Sequence, residues 1–244
     1  PTPNAPTDAW AQCRLVVPDA VPPYFNRFKG QVMKQLSQFQ WIPKKGATDV
    51  VREVMQPSVR FTRDECLDLP PLMYETRQVP LTKDQGKAYK EMLTKLRLQA
   101  EEGDITAVNE AVKMGKLVQI ACGVVYAPDG TQVTIPATPR VEETRSICHS
   151  AQGKVIVFVP YVSSVNMVAE ELSKDFTVEV IHGGVKKDER DRIFAAFQKA
   201  KDPKVLVAQP AAMSHGLTLT AASTIVWYSC ITSNETFEQA NGRI

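Results

Sequence analysis

Residues 155–159 read VIVFV, a run without a single polar position. A strand with one solvated face alternates apolar and polar side chains. An unbroken apolar run instead marks a strand covered on both faces, as in parallel sheets. Behind it, Val165, Val168, Ala169 and Leu172 fall on one helical stripe, and residues 177–181 form a second strand. His182-Gly183-Gly184 makes a turn, residues 188–199 form a helix burying Ile193, Phe194 and Phe197, and residues 205–208 form a third strand. Strand, helix, strand, helix, strand predicts a parallel sheet joined by right-handed crossovers.

The last 41 residues, KVLVAQPAAMSHGLTLTAASTIVWYSCITSNETFEQANGRI, carry the functional signal. A loop of small and polar residues with Gly216 inside it follows the strand at 205–208, and another strand spans 224–228. A helix is expected to open at Thr232, with Glu235 three residues on as a capping box. This order sets the loop at the carboxyl end of a buried strand, where open α/β sheets build their ligand sites.

Earlier segments read more simply. Residues 1–12 are proline-rich and turn helical at Asp8, with Thr7 or Asp8 as the cap. Residues 24–56 hold Tyr24, Phe25, Phe28, Val32, Leu36 and Phe39 at mixed helical spacing, which predicts helices broken at Pro43 and Gly46. Thr82 and Gln85 make a capping box, and Tyr89, Met92, Leu93 and Leu96 form the stripe of an amphipathic helix. A second helix is expected from 105 to about 119. Residues 124–135 predict a hairpin turning at Asp129-Gly130, followed by a helix bounded by Pro136 and Pro139.

The net charge of +2 neither requires nor excludes a nucleic-acid partner, because a phosphate-binding groove needs local charge. Five scattered cysteines without a C-x-x-C pair fit reduced thiols, and no apolar run approaches a membrane span. A soluble, cytoplasmic protein is expected. His149 and His182 have no metal-like companions, and no metal site is expected. No G-x-x-x-x-G-K-[ST] occurs, so nothing here cradles ATP phosphates and the chain is not expected to hydrolyse ATP alone. Asp64-Glu65 is not preceded by the buried apolar strand that a Mg²⁺-holding carboxylate pair requires. Lys186, Lys187, Arg190 and Arg192 read as the solvated face of a helix, with phosphate contact as the alternative.

The C-terminal segment resembles motifs five and six of superfamily 2 helicases, most closely the Swi/Snf-type DNA translocases. Ser214-His215-Gly216-Leu217-Thr218-Leu219 is similar to a fifth motif ending Gly-Leu-Asn-Leu, with Thr218 in place of the asparagine. Gln239-Ala240-Asn241-Gly242-Arg243 is similar to Gln-Ala-x-Gly-Arg of the sixth, which in the family continues to a second arginine three residues later. Pro1, Asn4 and Trp10 fall in register with the third motif. Residues 60–71 resemble the basic connector before Leu-Pro-Pro, and Leu81-Thr82 with Gln85 resembles the family's Leu-Thr-x-x-Gln. The start at Pro1 and the stop at Ile244 suggest a piece of a longer protein.

The resemblance implies an α/β fold, the RecA-like second helicase lobe of the P-loop NTPase type, with a helical insertion and linkers. It divides the chain into a first-lobe tail with helical insertion and connector, 1–70, and a second lobe, 71–244, with a helical protrusion at 82–120 and a core at 153–244. It implies catalytic roles for Arg243 and Gln239, nucleotide contact by Gly216 and Gly242, and nucleic-acid contact by Ser214, His215, Thr218 and Gly183. The implied cofactors are ATP and Mg²⁺, held mainly by a first lobe not contained in this chain. The implied partners are double-stranded DNA and that N-terminal lobe. Two alternatives stand beside it: a strand-separating helicase, and a non-catalytic nucleic-acid-binding or interaction module on the same scaffold.

Overall fold

A computed structural model describes residues 4–38, 40–59, 61, 72–101, 107–127, 129–213 and 218–244, with residues 96–101 and 107–111 given as helical backbone alone. The chain forms two compact units, Pro1–Glu75 and Thr76–Ile244.

In the first unit, α1 (Ala9–Val16), α2 (Phe25–Val32) and α3 (Ala47–Val54) enclose a core of Ala9, Cys13, Val21, Phe28, Val32, Met33, Ala47 and Val51. The Trp10 indole donates to Pro22 O at 2.8 Å and meets Phe25 edge-on. The Asp8 carboxylate accepts from the Asn4 and Ala5 N–H groups, so it closes the turn before it instead of capping α1.

A short hairpin replaces the expected helical continuation past Val32: β1 (Met33–Gln35) pairs antiparallel with β2 (Trp41–Pro43). The helical stripe ends there because Leu36 is exposed and buries nothing, while strand pairing satisfies the backbone. Phe39, Asp64 and Glu65 lie outside the described residues.

The second unit opens with α4 (Lys83–Glu101) and α5 (Ala107–Cys122). The capping box forms as its spacing predicts, with Gln85 N donating to Thr82 Oγ1 and Thr82 N to Gln85 Oε1. Gln85 also does something its motif does not foretell. Only 2% exposed, it donates through Nε2 to the carbonyls of Ile120 and Ala121, filling orphan acceptors at the end of α5. The hairpin β3 (Val124–Tyr126) and β4 (Gln132–Thr134) follows, then α6 (Thr138–Ser150).

The sheet consists of β5 (Lys154–Phe158), β6 (Val178–Ile181), β7 (Val205–Ala208) and β8 (Ala222–Trp227), all parallel, in the order β6-β7-β5-β8. Alternation along β5 and β7 divides two cores. Val155, Val157, Val205 and Val207 face α6 (through Val141 and Cys148) and α7 (Val162–Leu172), whereas Ile156, Phe158, Leu206 and Ala208 face α8 (Lys187–Lys199) and α9 (Asn234–Asn241). Both faces are covered, which is why the apolar run of β5 is unbroken.

Two lysines staple this sheet to its helices. Lys154 Nζ donates to Phe197 O and Ala200 O at the end of α8, and Lys204 Nζ donates to Ala151 O and Gly153 O just past α6. Cations suit both places because carbonyls at a helix carboxyl end lack intrahelical donors and carry partial negative charge.

Candidate functional site

The site lies on the sheet face shared by α8 and α9. The chain leaves the carboxyl end of β7 at Gln209, whose Nε2 donates to Pro160 O at 3.3 Å beyond β5. A short 3-10 turn, Pro210–Ala212, packs against α9. Met213 and Leu219 are buried in the same core as Ala240, and Ile244 packs against it. Ser214, His215 and Gly216 lie outside the described residues; Thr218 is exposed at the near end of that loop.

α9 begins one residue later than its sequence signature suggests. The cap is Ser233, not Thr232: Ser233 Oγ accepts from Thr236 N at 3.2 Å and from Thr236 Oγ1 at 2.9 Å. Glu235 instead accepts from Gln239 Nε2 at 2.9 Å, an i,i+4 pair within the helix.

The last turn of α9 is held from two sides. Trp227 stacks between Phe158 and Phe237, each ring pair 4.8 Å apart, and its indole donates to Asn241 Oδ1 at 2.9 Å. Beyond the helix, the Arg243 carbonyl accepts from Leu219 N at 2.7 Å. Leu219 is thereby joined to the end of α9, with Arg243 half-buried and Gly242 exposed beside it.

The predicted residues do not all converge. Gln239, Gly242 and Arg243 share the end of α9, and Thr218 adjoins them through Leu219. Gly183 is exposed in the turn after β6, and β6 and β8 are opposite edges of the sheet, about 14 Å apart at normal strand spacing. In that turn His182 Nδ1 accepts from Gly184 N at 3.0 Å. Arg192 pairs with Glu179 and Glu189, and Arg190 donates to Val185 O. Those carboxylates hold the Arg192 proton more tightly still, and the Arg192 guanidinium in turn lowers the Glu189 carboxyl below its usual range.

Among the described residues no group of three or more His, Cys, Asp or Glu side chains is placed to hold a metal ion. The described residues fit a nucleotide only partially, through one arginine and the exposed Gly242 backbone, and the sequence holds no G-x-x-x-x-G-K-[ST] loop. Sequence reasoning missed Trp227, Phe237 and Asn241. Asn241 occupies the unspecified position of Gln-Ala-x-Gly-Arg, and only the distance to Trp227 gives it meaning.

No helix among the described residues is long and apolar enough to cross a membrane. Cys13, Cys122, Cys148 and Cys230 are free thiols.

Residues 140–244 match the family described as Helicase conserved C-terminal domain. A Bacillus subtilis protein, YwqA, named for an ATP-dependent helicase/translocase, is 24% identical over 201 residues, 74% of this chain and 21% of that protein. Protein p41 of Acyrthosiphon pisum secondary endosymbiont phage 1 is 27% identical over 252 aligned positions, 100% of this chain and 53% of its own. The chain thus spans about a fifth and about half of these two relatives. The Sulfolobus solfataricus SWI2/SNF2 ATPase core domain superposes with a TM-score of 0.59 at 19% identity, covering 96% of this chain and 50% of that one. A Sulfolobus solfataricus SWI2/SNF2 ATPase core in complex with dsDNA gives a TM-score of 0.51 at 22% identity over 62% of this chain and 33% of that one. Two covered faces of a four-stranded parallel sheet, and a helix that ends in Gln-Ala-Asn-Gly-Arg, agree with these matches: residues 140–244 match the helicase conserved C-terminal domain and have the RecA-like fold of the second lobe of SWI2/SNF2 ATPase cores.

Proposed function

We propose that this chain is the C-terminal part of an ATP-dependent translocase that moves along duplex DNA. Its second lobe closes over a nucleotide bound mainly by a first lobe, and residues 1–70 are the tail of that first lobe with its insertion and connector. The observation that carries the reading is the 2.7 Å bond from Leu219 N to Arg243 O, which ties the loop expected to contact nucleic acid to the arginine expected to contact nucleotide. Movement of one is thereby felt by the other.

Arg243 acts across the lobe interface, within one polypeptide. An arginine is always charged and planar, and it neutralises charge developing on a transferring phosphoryl group. Ser214, His215 and Thr218 supply backbone-directed hydrogen bonds to DNA, and Gly216 and Gly183 allow phosphate to approach. Gln239 and Gly242 complete the nucleotide side. The dsDNA complex of a Sulfolobus SWI2/SNF2 core supports duplex DNA as the track.

The test is ATP hydrolysis with and without duplex DNA, on this chain and on the complete reading frame that encodes it. Duplex-stimulated turnover in the complete protein, lost in Arg243→Ala, is the expected result. DNA binding without any turnover would replace this reading with that of a non-catalytic binding module.

A further inference from the structure

The turn between β8 and α9 is held from two directions. Tyr228 N donates to Phe158 O at 3.0 Å, which continues the sheet by one residue. From α6, Arg140 Nη1 donates to Tyr228 O at 2.6 Å, and its guanidinium lies 5.5 Å from the centre of the Tyr228 ring. Tyr228 is 2% exposed, and Arg140 is half-buried.

Arg140 is unusual in what it pairs with. The other arginines of the sheet-flanking helices include Arg145, bound to Glu171 and Asp175, and Arg192, bound to Glu179 and Glu189. No carboxylate pairs with Arg140 among the described residues; its charge is directed at a single backbone carbonyl and an aromatic face. A charge-assisted bond to the last carbonyl of a strand fixes where the chain leaves the sheet, and little else.

The contacts continue away from the sheet. Thr82 Oγ1 donates to Pro136 O at 2.9 Å, just before α6, and Gln85 Nε2 donates to Ile120 O at 2.8 Å, just before Cys122. The start of α4, the end of α5, the start of α6 and the exit of β8 are therefore joined by one series of hydrogen bonds. α9 is anchored to the same strand through Trp227 and Asn241.

We infer that Arg140 is a positioning residue: by holding the Tyr228 carbonyl it sets the seat of α9, and so of Arg243, from the helical pair α4–α5. This rests on the nucleotide role proposed for Arg243, but its structural half stands apart from that role.

The experiment compares Arg140→Met, Arg140→Lys and Arg145→Met, the last removing an ion-paired arginine from the same helix. Amide hydrogen exchange is followed across residues 228–241 of the chain. Loss of a charge-assisted bond should raise exchange there about tenfold or more in Arg140→Met, less in Arg140→Lys, and not at all in Arg145→Met. In the complete protein, the same order should appear as an approximately tenfold lower kcat for duplex-stimulated ATP hydrolysis with KM for ATP within about twofold, because a misplaced arginine weakens transition-state contact more than ground-state binding. Equal effects of Arg140→Met and Arg145→Met, or unchanged exchange at 228–241, would overturn the proposal. If Arg140→Met fails to fold, the exchange difference between Arg140→Lys and Arg145→Met decides it. Absence of any ATP turnover in the complete protein overturns the translocase reading and leaves the exchange result to judge Arg140.

Discussion

The indole N–H of Trp227 donates to Oδ1 of Asn241 at 2.9 Å, joining the last residue of β8 to the last residue of α9. Asn241 is only 7% exposed, whereas the Trp227 side of the bond is half-buried. Asn241→Ala should therefore deprive a half-buried donor of its protein partner, at a cost of about 1 kcal/mol, read as a lower midpoint in urea unfolding. Trp227→Phe keeps the aromatic stack and should cost less. Equal costs would mean that the hydrogen bond contributes nothing.

Arg243→Ala separates chemistry from structure. The bond to Leu219 uses the Arg243 carbonyl, which the substitution retains. That bond should survive, while ATP turnover of the complete protein should fall by roughly 10³-fold or more, the scale of a lost phosphoryl-contacting arginine. Turnover equal to that of the unsubstituted protein would contradict the expectation.

Gly123, between α5 and β3, has φ +88°, and a Cβ there would lie 2.9 Å from Ala137 Cβ and 3.0 Å from Ile135 O. Gly123→Ala combines a left-handed backbone with an overpacked junction, a loss of about 2–4 kcal/mol. Gly30→Ala, in a helix with open space around the new methyl, serves as the control and should be neutral or stabilising. Chemical denaturation of the two variants checks the difference.

Lys204→Met should strip the donor from the Ala151 and Gly153 carbonyls behind α6 while keeping the aliphatic stem. A bond from a charged donor is worth about 1.5–3 kcal/mol, so a comparable drop in unfolding free energy is expected. Lys174→Met, which removes an exposed ammonium paired with Glu171, should cost well under that.

Thiol chemistry offers a test of burial. Burial pushes the Cys148 thiol up to about 11 although the Lys204 charge pulls the other way, and burial likewise raises Cys122. Cys230 is exposed. In a Cys66→Ser background, a thiol reagent at pH 8 should modify one cysteine quickly and the rest only on unfolding. Because the folded Cys148 binds its proton more tightly than the unfolded thiol, its stabilising contribution is complete below about pH 9 and declines toward pH 11. Cys148→Ala should flatten the alkaline fall in melting temperature by that share.

Residues close in sequence announced most of the fold. The unbroken run of β5, the helical stripe of α7 and the Thr82/Gln85 cap depend on periodicity and on contacts three or four residues apart, which a linear reading captures. The hairpin β1–β2 escaped because its apolar spacing mimics a helix, and pairing between Met33 and Pro43 is decided by what the strands face. The site divides in the same way. Gln-Ala-Asn-Gly-Arg is legible as a motif because five adjacent residues carry it. What holds it is long-range: Leu219 to Arg243, Trp227 to Asn241 and Arg140 to Tyr228 join residues 24, 14 and 88 positions apart. The sequence by itself determined the parallel α/β sheet and the Gln-Ala-Asn-Gly-Arg motif at the end of α9. Only the tertiary structure decided the strand order β6-β7-β5-β8, the partner of each buried donor and the seat of α9, because a hydrogen bond between distant residues leaves no periodic trace in the chain.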